Sequence, residues 1–291
     1  MKVGLQVPRF SFPEGTAGIA PALANIAGVA DEAGFHSLWV MDHYFQIQGF
    51  GEPGDAMLEG YSTLAWLAAS TRRIRLGTLA TGVVYRYPGV LVKTATTLDV
   101  LSGGRSYFCI GAAWFEGEAR AMGVPFPPMR DRFEMLEETL QIARQMWSDD
   151  DGPFRGRHYQ LAQTLCRPQP LSRPHPPIMV AGTGERKTLR LVARYADACN
   201  MYGSVEVLTS KLEILKRHCD EAGRDFNSIE VSSLGTVQLA AGQMTPKDVI
   251  ALCRSLSKIG VQHAIFNMPD VHEIRPLEIF RREIIPAVQE F

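Results

Sequence analysis

Ser37-Leu38-Trp39-Val40-Met41-Asp42-His43 is a short apolar run that stops abruptly on an acid and an imidazole. A run this uniformly apolar fits a strand buried on both faces, and such strands belong to parallel sheets covered by helices. In open α/β sheets and in (β/α)8 barrels alike, ligands bind where strands finish. Asp42 and His43 are therefore expected at a site.

Working outward from that run, short β-rich stretches alternate with longer amphipathic ones along the whole chain. Strands are expected at Val3–Val7, Ser37–Met41, Ile74–Val83, Ser106–Gly111, Ile178–Ala181, Ala198–Met201, Val231–Gln238 and His263–Asn267. Helical spacing appears between them in Leu23-x-x-Ile26-x-x-Val29-Ala30, Phe133-x-x-Leu136-x-x-x-Leu140, Leu189-x-x-Val192 and Leu208-x-x-x-Leu212-x-x-Leu215. Thr245-Pro246-Lys247-Asp248 carries a capping Thr, a first-turn Pro and an acid at the capping-box position. Gly223 and Gly260 stand where helices end on a left-handed residue.

Eight βα units in 291 residues fit one α/β domain, a (β/α)8 TIM barrel over residues 1–291, better than a doubly wound sheet. The first turn, Pro8-Arg9-Phe10-Ser11-Phe12-Pro13, also lacks the G-x-G-x-x-G that wraps a pyrophosphate. Two segments exceed the minimal barrel: residues 44–60, expected as a loop over the site, and 149–177, expected as a hairpin and a proline-ordered connection along the outside.

Bulk properties exclude several classes. With 46% apolar residues and a net charge of -1 the chain should be soluble and globular, and no basic excess points to nucleic acid. No run approaches the roughly 18 apolar residues of a membrane span, and Met1-Lys2 leads straight into an apolar strand without a signal arrangement, so a cytoplasmic protein is expected. Five widely spaced cysteines without a C-x-x-C pair indicate reduced packing residues.

In a barrel, the residues after each strand meet at one face. That set holds one histidine, His43, together with many small residues and several flat aromatics, a lining for a broad planar ligand rather than a metal cage. The other histidines fall at strand starts, helices or the insertion and are not expected to join in a metal site. His43 could act as acid–base group or simply bond backbone. Gly182-Thr183-Gly184 could cradle an anion at a helix start or merely permit a tight turn. Trp114 and Phe115 could pack under a loop or stack on a ligand. Ser102-Gly103-Gly104-Arg105 precedes its strand and is expected as a turn at the bottom of the barrel.

Five ordered blocks, Trp39-Val40-Met41-Asp42-His43, Ile74-Arg75-Leu76-Gly77-Thr78, Leu98 to Arg105, Gly111-Ala112-Ala113-Trp114 and Ala196-Asp197-Ala198-Cys199-Asn200, resemble the luciferase-like monooxygenase superfamily. More narrowly, the sequence is similar to its probable coenzyme F420-dependent oxidoreductase branch. The resemblance implies an oxidoreductase with a 5-deazaflavin, coenzyme F420, at the strand C-termini, passing a hydride to or from a small organic substrate. FMN with oxygen chemistry is the alternative cofactor, and a cofactor-free binding protein on the same barrel is a further alternative.

Carried over by position, the resemblance makes His43 the catalytic acid–base group. Asp42, Leu79, Ala80, Thr81, Gly111, Ala112, Ala113, Gly182, Thr183, Gly184, Met201 and Tyr202 become cofactor contacts, with a non-proline cis peptide at Leu79-Ala80. Tyr44, Trp114 and Phe115 become the substrate pocket, no metal is implied, and the subunit is expected to form a homodimer. The family's sugar-phosphate dehydrogenases carry a glutamate acid just after the fourth strand. Matching puts Trp114 there, with Glu116 and Glu118 displaced, which points away from a sugar-phosphate substrate.

Overall fold

Alternate residues of a strand face opposite ways, and the longer barrel strands here obey that parity against two different apolar environments. In the computed structural model, which describes residues 1–291, the chain runs β1 (Lys2–Val7), α1 (Gly15–Ala33), β2 (Ser37–Val40), α2 (Gly60–Ser70), β3 (Arg75–Thr78), β4 (Thr81–Gly82), α3 (Pro88–Leu101) and β5 (Phe108–Gly111). Then come α4 (Glu116–Ala121), α5 (Met129–Met146), the two-residue strands β6 (Phe154–Arg155) and β7 (Gln160–Leu161), β8 (Ile178–Ala181), α6 (Thr188–Tyr195), β9 (Ala198–Met201) and α7 (Val205–Ala222). The last part holds β10 (Glu230–Thr236), α8 (Pro246–Lys258), β11 (His263–Asn267), α9 (Arg275–Ile279), a π-helical segment over Phe280–Ile284 and α10 (Ile285–Val288).

Hydrogen-bonded neighbours follow the order β3-β2-β1-β11-β10-β9-β8-β5-β4, all parallel. Since β3 and β4 are joined only by Leu79 and Ala80, the ring closes, helped by a bridge between Leu76 and Ser106. The expected third strand, Ile74–Val83, is thus two pieces. Leu79 N–H still donates to Val40 on the β2 side at 2.7 Å, whereas Thr81 and Gly82 pair with β5, so the chain changes partner at the Leu79-Ala80 peptide, which is cis.

Outward residues such as Val3, Leu5, Val7, Leu38, Val40, Phe108, Ile110 and Val180 belong to a cluster of 65 buried residues between barrel and helices. Inward residues Trp39, Leu79, Tyr107, Cys109, Met179, Ala198 and Ile265 form a separate cluster of 7. With roughly 1.5–3 kcal/mol for each fully buried aliphatic side chain, the outer layer carries most of the apolar stabilisation. That leaves the barrel interior free to hold polar groups at both ends.

The capping box at Thr245 and Asp248 is formed, and Gly223 ends α7 in the left-handed region. Gly103 and Gly104 make the expected bottom turn, where the Arg105 guanidinium ties down the carbonyls of Ala68, Thr71 and Ile74. Residues 44–59 form the loop between β2 and α2, pinned by Gln46, which donates to the Pro8 carbonyl at 3.2 Å. In the insertion, β6 and β7 pair as the expected hairpin, held to α5 by backbone N–H groups of Arg157, His158 and Tyr159 that donate to Glu138. All five cysteines are unpaired and buried. No helix is long and apolar enough to cross a membrane.

Candidate active site

Asp42 follows β2 and is 3% exposed, a depth at which a carboxylate needs a partner. It has one: Arg86 donates to both carboxylate oxygens at 2.8 Å, and the Gly82 N–H donates to Oδ2 at 3.0 Å. The same guanidinium bonds Glu59 and lies 5.0 Å over the Tyr61 ring. Burial works to lower the Arg86 pKa, but Asp42 outweighs it and drives the net shift up. With these bonds Asp42, expected as a cofactor contact, welds the end of β2 to β4.

His43 sits beside this weld, half-buried, and its Nδ1 lies 3.0 Å from Oε2 of Glu118 on α4. Glu118 is completely buried and accepts also from the N–H groups of Tyr44 at 2.5 Å and Phe45 at 2.8 Å and from the Tyr85 hydroxyl. Burial alone would raise its pKa; the bonds from His43, Tyr85 and Phe45 overcome that and hold it below the ordinary value. An ionised Glu118 needs a donor at Nδ1, which fixes the imidazole tautomer and leaves Nε2 for a ligand. Glu118 was missed as a site residue. Two acids two positions apart follow the Trp114-Phe115 pair, and sequence spacing cannot say which turns inward once a loop intervenes.

After β5 the chain turns sharply at Ala113, whose φ of 58° lies in the left-handed region. Arg132 on α5 secures that turn, donating to the carbonyl of Ala112 at 2.9 Å and to that of Ala113. The turn throws Trp114 outward, 63% exposed, stacked on Phe115 with centroids 5.2 Å apart and planes 13° apart. The His43 ring meets both edge-on, at 5.6 Å and 6.1 Å. Tyr44 packs edge-on against Tyr85 at 5.2 Å. The expected substrate-pocket residues Tyr44, Trp114 and Phe115 are therefore gathered around His43.

Ala80 and Gly111 lie side by side on the neighbouring strands β4 and β5: a Cβ built on Gly111 would lie 3.4 Å from the Ala181 carbonyl oxygen and 4.0 Å from the Ala80 Cβ. Gln6, an inward residue of β1, donates to the Leu79 carbonyl at 3.4 Å, and its Oε1 is buried without a partner. Sequence reading passed over Gln6, although a lone amide inside an apolar strand is a visible signal. Thr81, expected at the cofactor, is wholly buried and its hydroxyl is shared with Tyr61 at 2.9 Å and Thr78 at 2.6 Å. The Met201 side chain turns away from the mouth. Parity turns Ala198 and Asn200 inward and sends Met201, 0% exposed, into the outer apolar layer. Gly182, Thr183 and Gly184 lie between β8 and α6, the first two partly exposed and Gly184 exposed, and Tyr202 follows β9 at 59% exposure.

At the opposite end of the barrel, the histidines expected to be scattered do converge. His263 bonds Glu230 at 3.1 Å and Ser37 at 2.8 Å; Tyr107 donates to Glu230 at 3.1 Å, and His36 lies 3.4 Å from the Tyr107 hydroxyl. His36, Glu230 and His263 bring ligand-type atoms within 4.8 Å of one another, but the Lys2 ammonium already occupies Glu230 and supplies the local positive charge. Burial, then the neighbouring His263 and Lys2 charges, push His36 down to about 3; burial also lowers His263. Burial tends to raise Glu230, yet His263 and Lys2 bonds hold it far below the usual range.

All three folded-state values lie below their unfolded ones, so the unfolded chain takes up these protons first as pH falls. Stability is complete above the ordinary histidine value of 6.5 and is lost toward about 3. Thermal midpoints are expected to fall from pH 6.5 to 4.5, with a shallower decline in His36→Gln. A flat profile in the native protein would refute the arrangement.

A family model for luciferase-like monooxygenases matches residues 1–266. An F420-dependent glucose-6-phosphate dehydrogenase of Kineococcus radiotolerans is 34% identical over 161 residues, 55% of this chain and 46% of that enzyme, so this match spans about half of that relative's length. An uncharacterised protein of Mycobacterium tuberculosis is 30% identical over 267 residues, 87% of this chain and 88% of its own. Among solved structures, monooxygenase RslO1 from Streptomyces bottropensis superposes with a TM-score of 0.82 at 23% identity, covering 98% of this chain and 99% of that one. An F420-dependent secondary alcohol dehydrogenase bound to an F420-acetone adduct also reaches 0.82, at 20% identity and 99% coverage of both chains. With the closed barrel, its divided third strand and the matched length together, the chain belongs to the luciferase-like monooxygenase family.

Proposed function

We propose that the chain is an oxidoreductase that passes a hydride between coenzyme F420, a 5-deazaflavin, and a small organic substrate at the barrel mouth. The observations that carry this reading are the small residues Ala80 and Gly111 and the orphaned Oε1 of Gln6, whose amide bonds the Leu79 carbonyl next to Ala80. A buried acceptor without a partner costs about 1–3 kcal/mol, and a ring with an N–H directed down into the mouth would supply the missing donor. Ala80, Gly111 and Ala112 would lie against such a ring, and Gly182, Thr183 and Gly184 would face its phosphate with backbone N–H groups. When bound, the deazaflavin supplies or accepts the hydride at its central ring.

This chain's residues do the rest. Glu118 holds His43 with Nδ1 protonated, so that Nε2 exchanges the proton that accompanies hydride transfer at the substrate heteroatom. Trp114, Phe115 and Tyr44 exclude water around that atom, and the 44–59 loop covers the mouth. FMN is the second reading, favoured by the likeness to an FMNH2-dependent dimethylsulfone monooxygenase of Pseudomonas putida, 27% identical over 173 residues. Side-by-side titration of the protein with F420 and FMN, followed by oxygen uptake on reduction, separates them: micromolar F420 binding without oxygen consumption supports the proposal, and tight FMN binding with oxygen consumption replaces it. Gly182 has φ +127°, a conformation L side chains rarely adopt, so Gly182→Val is expected to weaken F420 binding at least tenfold. Unaltered affinity would reduce the 182–184 turn to a connection.

The reading includes a homodimer. The outward positions of the packed helices α2 and α3 carry Trp66, 39% exposed, Val90, 64%, and Leu101, 65%, with Ala65, Ala69 and Thr97 among them; Lys93 stands on the same stripe of α3, its ammonium donating to the Arg167 carbonyl. A largely apolar face of this kind marks an interaction surface, and a second copy offers the same face about a two-fold axis. Trp66→Asp with Leu101→Asp should convert a dimer to a monomer in light scattering; a native protein that is already monomeric contradicts it.

A further inference from the structure

The geometry points to an uncharged planar molecule, aromatic or conjugated, as the substrate, lying flat against the Trp114–Phe115 pair; this rests on the mouth being the reaction site, as proposed above. Trp114 is a large apolar ring left 63% exposed, and the Arg132-secured turn at Ala113 holds it there rather than folding it into the core. Its plane and that of Phe115 differ by 13°, so the two rings stack as one shelf, and the His43 imidazole stands steeply to both, at 70° and 62°. A flat ligand that continues the stack comes to rest beside the group that moves the proton.

Charge argues in the same direction. Around His43 the hydrogen-bonded groups include three carboxylates, Asp42, Glu59 and Glu118, against one guanidinium, Arg86, which is paired with two of them. The other cation of the shelf, Arg132, gives Nε to the carbonyl of Pro127 and Nη1 to those of Ala112 and Ala113 and lies 4.1 Å over the Phe126 ring. A phosphate dianion beside His43 would meet three carboxylates against one guanidinium that two of them already bind. A polyhydroxylated sugar fares little better, since Glu118 is already saturated by His43, Tyr85 and two backbone donors.

Calorimetric titration with 2-acetonaphthone, an uncharged planar ketone, and with glucose 6-phosphate tests this on the protein with and without saturating F420. Binding of the ketone is expected, with no binding of the sugar phosphate up to millimolar concentration. Trp114→Ala and Phe115→Ala should each weaken the ketone at least tenfold, Trp114→Phe should retain most of the affinity, and F420 affinity read by its own fluorescence should not change. Equal or tighter binding of glucose 6-phosphate, absence of ketone binding, or ketone affinity indifferent to both alanine variants would overturn the inference. Failure of F420 to bind would sink the cofactor reading instead, because Trp114-dependent ketone binding to the cofactor-free protein would still uphold the shelf.

Discussion

Replacing His43 by alanine is expected to lower F420-coupled turnover by roughly 10²–10⁴-fold, the range a positioned general acid–base group supplies. The thermal midpoint should stay close to that of the native protein, because the imidazole makes only one hydrogen bond to the protein, at Nδ1. Glu118→Gln tests the other half of the pair. It replaces an acceptor for four donors with a group that must present an amide, so the imidazole loses its fixed tautomer and the pH dependence of kcat should shift even where folding survives. Native turnover in His43→Ala would remove His43 from the mechanism, and an unmoved pH profile in Glu118→Gln would remove the positioning role of the glutamate.

The largest effect on stability is expected from Arg86→Ala. Asp42 is 3% exposed, and removal of its bidentate partner strands a carboxylate where water cannot reach it. Breaking a buried pair from one side costs about 3–5 kcal/mol, which in a domain of this size corresponds to a fall of roughly 10 °C in Tm. Arg86→Met combined with Asp42→Asn should recover part of the loss, since neither charge is then left alone. A fall in Tm of only a degree or so for the single variant would mean that Asp42 is solvated or neutral in the native protein.

Much of this architecture could be read from residues alone, and the places where reading failed have physical causes. Uniform apolar runs ending on polar residues located the barrel strands and put Asp42 and His43 at the mouth, because a strand buried on both faces has no other way to present a polar group. Parity corrected Met201: one residue of slip separates a mouth-facing side chain from one under a helix, and an apolar strand contains no internal mark of its phase. The change of partner at Leu79 is a hydrogen-bonding event between strands, invisible in a continuous apolar stretch. Glu118 lies 75 residues from His43 in the chain, and such a pairing is fixed only by folding. The helices α9 and α10 with the π-helical segment between them, missed in the sequence, pack Phe280 between Phe35 and Phe266, with centroids at 5.2 Å and 6.1 Å. Arg275-Pro276 and Ile285-Pro286 break their periodicity into pieces too short to read.

The central claim is that a redox ring rests on Ala80 and Gly111 with an N–H directed at Gln6. A crystal structure of the protein soaked with F420 measures this directly. The account predicts the ring across the barrel mouth, its edge donating to Oε1 of Gln6 and one face turned toward His43 and Trp114. A ring bound elsewhere, or a mouth closed by the protein's own side chains with Gln6 satisfied from within, would contradict it.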